Sequence, residues 1–248
     1  MNLEAIKSGL IKFIERHRIA FNFLSSRHSQ ILELAALAAT TYHYRVRGYA
    51  IHAENTNKGT FRLKATAKGE PSSFSWFVAE RSSDVFEIHA NLPVVGAYGS
   101  DRGVYVVDVG VTRSGWTPDP DACEAVRNEY LVTFVEAKAL VVYPMLLAQF
   151  VGIVHEIKPT FLGERRPRGF VRAGHVDPTL VSLGYLNGIA ESIYNAYPKR
   201  GYKIRVIPHF DVVVSVCRRE SVSPWDRVPQ MTRQRERRRR LASITTVQ

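Results

Sequence analysis

The hydrophobic pattern divides the first 217 residues into alternating helical and extended segments. Leu3, Ile6, Leu10, Phe13, Ile14, Phe21 and Leu24 recur at helical spacing, with Lys7, Lys12, Glu15 and Arg16 on the opposite side. That spacing predicts an amphipathic helix over residues 3–24. Ser29 suits the N-cap of a second helix, and residues 30–39 are rich in strong helix formers, with Glu33 set among apolar neighbours. From Tyr42 the pattern turns extended: residues 42–48 and 60–66 alternate, and 73–78 and 85–89 follow as further strands of a meander. Residues 104–111 are apolar on both faces apart from Asp108, which predicts a buried central strand, and residues 130–140 read the same way. A turn-rich loop, 114–121, lies between them. Pro144 opens a helix over 145–155, a Gly/Arg/Pro loop occupies 162–174, a helix follows over 183–196, and 203–216 form a last strand pair or a bulged strand. With no internal repeat, this alternation predicts an α/β or α+β fold.

Composition adds a partner class. The chain has 248 residues, 45% of them hydrophobic, which is enough for a substantial core. Its 34 Lys and Arg against 23 Asp and Glu leave a net charge of +11, a field that attracts polyanions, nucleic acid first among them. The charge is uneven: residues 218–240 hold nine arginines against Glu220, Asp226 and Glu236, a net of +6. The hydrophobic rhythm stops after Cys217, and Pro224, Pro229 and the run from Arg233 to Arg240 follow. The expected organisation is a helical extension over 1–28, an α/β domain over 29–217 and a basic, flexible tail over 218–248. Cys123 and Cys217 are too few for a disulfide scaffold and form no CxxC pair, so a reducing, cytoplasmic setting is expected. The early acid Glu4 and the lack of an apolar run near the N-terminus argue against a secretory signal, and the longest apolar stretch, 139–154, is too short to span a bilayer and is broken by Pro144 and Gln149.

Three charges inside apolar strands carry the chemistry: Asp108, and Glu136 with Lys138. An unpaired buried charge is costly, so such groups need a partner, a metal or the open end of a sheet. Side chains along a strand repeat with period two, which puts Glu136 and Lys138 on one face. A hairpin across residues 112–129 would bring Asp108 beside Glu136, so that two carboxylates and an ammonium converge. Two carboxylate oxygens can hold Mg²⁺, or Mn²⁺, with water and substrate phosphate completing the shell. The lysine can then orient a water or stabilise a developing anion, which is the chemistry of phosphodiester hydrolysis.

At these residues the sequence resembles the PD-(D/E)XK nuclease superfamily: an acid on a preceding helix (Glu33), Asp108 in an apolar strand, Glu136-Ala-Lys138 in the next, and a helix after it. The resemblance covers residues 29–156. It implies a restriction-endonuclease-like α/β fold, a central mixed sheet flanked by helices, with Asp108 and Glu136 as metal ligands and Lys138 as the catalytic lysine. It also implies an accessory acid at Glu33 and a phosphate or base contact at Gln149. Residue 107 is Val where the motif's name expects Pro, and literal Pro-Asp pairs stand at Pro118-Asp119 and Pro120-Asp121. Asp108 is preferred because a strand holds a ligand more rigidly than a proline-rich loop.

Arg165, Arg166 and Arg168 form a basic cluster able to track a phosphate backbone, as do Arg233, Arg235, Arg237, Arg238, Arg239 and Arg240 in the tail. The expected partner is nucleic acid, DNA before RNA, and a homodimer stays open. A rival reading makes the 108/136/138 cluster a structural ion network in a non-catalytic nucleic-acid-binding or assembly protein that uses its arginine tail. No HExxH, GxSxG or GxxxxGK[ST] pattern occurs, and the pairs His175/Asp177 and His209/Asp211 are common by chance.

Overall fold

The computed structural model of the protein describes residues 3–22, 27–98, 103–118, 124–163, 175–211, 222, 223 and 225. Seven strands lie side by side in chain order: β1 (Ala50–Glu54), β2 (Trp76–Arg81), β3 (Asp84–Val95), β4 (Val104–Arg113), β5 (Leu131–Lys138), β6 (Thr179–Ser182) and β7 (Arg205–Ile207). The first five form an antiparallel meander, while β5, β6 and β7 run parallel. Parallel neighbours need a crossover, and α3 (Pro144–Ile157) and α4 (Gly188–Ala196) supply the two. Helices α1 (Leu3–His17) and α2 (His28–Val46) complete an α/β fold of the expected class, a mixed sheet flanked by helices.

Two hydrophobic cores sandwich the sheet. Strand alternation sends Val135, Ala137, Val181 and Ile207 to the core that α1 and α2 cover, and Phe134, Leu180 and Val206 to the core of α3 and α4. The alternation breaks at one rung. In β3, Phe86 and Ile88 enter the first core, yet Leu92 and Val94, of the same parity, enter the second. In β4, Val109 and Val111 enter the first core and Val107 the second. The register pairs Ala90 with Val109 and Leu92 with Val107, which sets Asn91 opposite Asp108 at the break. Asn91 has a left-handed backbone, φ 48°, a conformation Asn tolerates better than most residues.

Several expectations need correction. The first helix stops at His17, because Arg18 turns left-handed (φ 49°) and Ile19 leaves to bridge Phe61 in parallel. Ser29 is not the cap of α2; Arg27 is, its N–H donating to Gln30 Oε1 at 2.9 Å. Residues 42–48 are not a strand, since α2 runs on to Val46. A glycine closure ends α2: Gly48 (φ 83°) donates to Arg45 O and Tyr49 to Tyr44 O. The alternation of 60–66 yields only bridges at Thr60 and Phe61, because Lys64 is buried and its ammonium is tied to main-chain carbonyls.

Strand β6 went unforeseen because a four-residue strand buried on both faces has no alternation. The helix placed at 183–196 begins only at Gly188, where the Asn187 side chain caps the Ile189 N–H at 2.9 Å. The last strand is three residues long and ends before Pro208. The division at residue 218 cuts through packed residues: Trp225 is fully buried and stacked on Phe210, and Ser223 Oγ lies 2.6 Å from His43 Nδ1. On the other side of the chain, Ile6 and Leu10 of the expected extension join the first core. Phe77 and Tyr44 are fully buried in the first core.

Two half-buried histidines should contribute acid sensitivity to the fold. Burial, reinforced by the guanidiniums of Arg113, Arg47 and Arg81, lowers His175 to about 4, and Tyr44 Oη lies 2.7 Å from its Nδ1. Burial with Arg16 and Arg45 lowers His17 to about 4 as well. An unfolded histidine titrates near 6.5, so below that pH the unfolded chain binds more protons than the fold. Stability present above pH 6.5 is therefore lost progressively as pH falls toward 4. The raised Glu33 and Glu136 act in the opposite direction over the same window, so the test is a difference: urea unfolding from pH 7 to 4 should show His175→Gln losing less stability on acidification than the parent chain, and equal changes in the two would refute the assignment.

Candidate active site

The site forms where two strands part. β4 and β5 pair only as far as Val109 opposite Val135, after which β5 continues beside β6 alone. Asp108 is the first β4 residue beyond the last pair. Its Oδ2 accepts the Ala137 N–H at 2.7 Å, so a side chain takes the place of a strand carbonyl at the fork. Glu136 and Lys138 flank Ala137, and the Lys138 ammonium donates to Glu136 Oε2 at 3.0 Å and Asp108 Oδ2 at 3.4 Å. The structure thus brings together the three residues the sequence singled out.

A fourth joins them from across the first core. Glu33 lies on α2, and Asn91 Nδ2 donates to its Oε2 at 3.3 Å. Burial raises the Glu33 pKa, the negative charge of Asp108 raises it further, and the Asn91 hydrogen bond and Lys138 offset part of this. The Glu136 pKa is raised, first by burial and then by Asp108, against the pull of Lys138. Burial works against charge on Lys138, but Glu136 and Asp108 outweigh it and hold the ammonium above its ordinary range. Three carboxyl groups therefore share one ammonium in a largely buried site.

Asn91 and Lys64 were missed. Asn91 accepts the Lys64 ammonium on its carbonyl at 2.9 Å and returns a bond from Nδ2 to Lys64 O, also at 2.9 Å. The same ammonium reaches Thr66 O and Ala67 O at 3.0 Å each. This network fixes the rung on which Asp108 stands and holds the Asn91 amide against Glu33. The available signal was an Asn inside an apolar strand, where a polar side chain needs a partner.

The other candidates lie elsewhere. Gln149 is exposed on α3, whose buried residues pack into the second core, and no hydrogen bond ties it to the cluster. Asp119, Asp121, Arg165, Arg166, Arg168 and the arginines from 233 to 240 lie outside the described residues.

The donor set suits a hard divalent cation. Glu136 Oε1 is buried with no hydrogen-bond partner, an orphaned acceptor beside a second carboxylate. Among the described residues no three His, Cys, Asp or Glu side chains form a ready cage. Mg²⁺ needs none, since it binds through one or two carboxylates and keeps several waters. Histidine and thiolate metals find no ligand set here.

Fold and site together define the class: an α/β protein with a mixed sheet and a carboxylate–lysine centre at a strand fork. No protein-family model matches the chain, and no curated protein does. The solved structure of P. aeruginosa ATCC27853 NucC in its cAAA-bound form is similar at 14% identity, over 72% of this chain and 74% of that one. Its TM-score is 0.31, a likeness too loose to carry weight for this site. Among the described residues no helix is long and apolar enough to cross a membrane.

Lys138→Met would strand two carboxylates. Losing one partner of a fully buried ion pair costs about 3–5 kcal/mol; Lys138 is partly exposed, so a loss of about 1–3 kcal/mol is expected in denaturant unfolding with EDTA present. Adding Glu136→Gln should recover most of that loss. Simple additivity of the two changes would mean that they do not interact.

Proposed function

We propose that the protein is a metal-dependent nuclease that hydrolyses phosphodiester bonds of nucleic acid, DNA first. The observation that carries this reading is the convergence of Asp108, Glu136 and Lys138 at the fork, with Glu136 Oε1 unsatisfied. Mg²⁺, with Mn²⁺ as a substitute, would supply an acidified water and offset charge growing on the phosphate. Asp108 and Glu136 would hold the cation. Lys138 keeps its proton and can donate it as a hydrogen bond to the attacking water or to the developing anion. Glu33, more readily protonated than an ordinary glutamate, is the accessory acid, and Asn91 positions it. Gln149 stays outside this machinery. Arg165, Arg166, Arg168 and the arginines from 233 to 240 are the proposed phosphate contacts, which position substrate without reading its sequence.

A second copy of the chain is the partner we assign to an apolar ledge beside the site. The β5–α3 and β6–α4 connections are joined by Val142 N–H to Tyr185 O and Asn187 N–H to Val142 O, both 2.9 Å. Here Ile189 (67% exposed), Met145 (62%) and Tyr185 (52%) stand out beside Leu140 and Tyr143. No Asp, Glu, Lys or Arg occurs from residue 139 to 154 or from 180 to 190. In a chain of net charge +11, an uncharged surface lets two copies approach without like charges meeting. It starts just past Lys138, so pairing would set two sites side by side.

The decisive assay incubates the full chain with linear, circular and single-stranded DNA and with RNA, in Mg²⁺, Mn²⁺ or EDTA. Metal-dependent cleavage is expected, falling about a hundredfold or more in Asp108→Ala and Lys138→Ala with circular dichroism unchanged. No cleavage of any substrate, with nucleic-acid binding lost on deleting residues 226–248, would favour the non-catalytic reading. For the ledge, sedimentation equilibrium should show a dimer that Ile189→Lys dissociates, and a monomeric parent chain would exclude pairing there.

A further inference from the structure

On the far side of α2 from Glu33, a cavity of about 910 Å³ opens between α1, α2 and β1. Its size falls within the range of small-molecule pockets, roughly 300–1,000 Å³. Leu10 and Phe13 of α1, Ala38, Ala39 and Val46 of α2, and Ile51 of β1 give it apolar walls. Lys12, Arg16 and Arg45 line it as well, on two different helices, all three exposed, and no acidic residue lines it. Among the described residues none of the three has a carboxylate partner. Arg16 and Arg45 act together on His17, which also lines the cavity, so their positive charges converge on one place.

We infer that this groove binds an anionic amphiphile, a carboxylate or phosphate head on an aliphatic body, with Arg16, Arg45 and Lys12 taking the head. Unbalanced cations select the sign of the ligand, and the walls select its body. A nucleobase or ribose would need hydrogen-bond partners along the groove, and few remain. The Thr41 hydroxyl is spent on Leu37 O at 2.9 Å, and the Tyr49 hydroxyl accepts from Arg81 Nη2 at 3.3 Å. Beyond the three cations, the walls offer the Tyr42 hydroxyl, the His17 ring, the Tyr49 O–H as a donor and the Thr41 oxygen as an acceptor. The chain's own arginine-rich segment is excluded as occupant, since it carries the same sign of charge as the groove. The site lies on the opposite face of α2 from the carboxylate cluster and stands independently of the nuclease reading.

Isothermal titration of the full chain, below micelle concentrations, tests this with dodecyl phosphate, dodecanoate, dodecyltrimethylammonium, inorganic phosphate and AMP. One-site binding of a dodecyl anion is expected, at least about tenfold tighter than the dodecyl cation, phosphate or AMP; the better of the two heads identifies the source chemistry. Arg16→Ala with Arg45→Ala, both surface changes, should weaken it about tenfold or more with an unchanged unfolding midpoint, and Ala38→Trp should block it by filling the groove. Equal binding of the cation, or undiminished binding by the double variant, would reduce the effect to detergent adsorption and overturn the inference. Binding of AMP or phosphate as tight as dodecyl phosphate, or no binding of either dodecyl anion, would overturn it too.

Discussion

One oxygen of Asp108 stands where a backbone carbonyl would be. By accepting the Ala137 N–H at 2.7 Å, it satisfies a donor that β4 abandons when it turns away from β5. Without it, the Ala137 N–H, set between Glu136 and Lys138, would lack its partner, at a cost of about 1–3 kcal/mol. The same oxygen receives the Lys138 ammonium, and Lys138 in turn binds Glu136. The fork is therefore both a solution to a hydrogen-bonding problem and the reason that three ionisable groups meet.

The fork has a cause deeper in the sheet. Strands β3 and β4 exchange the cores they face at the Asn91–Asp108 rung, and the left-handed Asn91 makes the exchange. Residues in sparsely populated backbone conformations persist where the surroundings hold them. Here the holding groups are the Lys64 ammonium on the Asn91 carbonyl and the two bonds from the Asn91 amide, to Lys64 O and Glu33. Backbone irregularity, buried Lys64 and Glu33 thus form one connected unit with the carboxylate–lysine cluster.

Electrostatics gives this unit its chemical direction. Glu33, Asp108 and Glu136 crowd a single ammonium, and both glutamates respond by holding their protons more tightly than they would in water. A site that raises carboxyl pKa values while leaving one buried oxygen unpartnered is short of positive charge. A divalent cation, as proposed above, would answer that shortage.

How much of this was legible in the sequence varies from residue to residue. Asp108, Glu136 and Lys138 could be found because charge is costly inside apolar strands, and period two with a hairpin was enough to place them together. The chain's class, the helix from Pro144 and the central strands followed from the same local rules. Residues 42–48 misled because an amphipathic strand and a helix buried on several sides can share one short pattern, and only packing against the sheet and α1 separates them. β6 was silent because a strand buried on both faces has no alternation to read. Local sequence determined which side chains could do chemistry. The Asn91 break, the reach of Glu33 across a core and the basic groove under α1 depend on residues far apart in the chain, so only the tertiary structure could decide them.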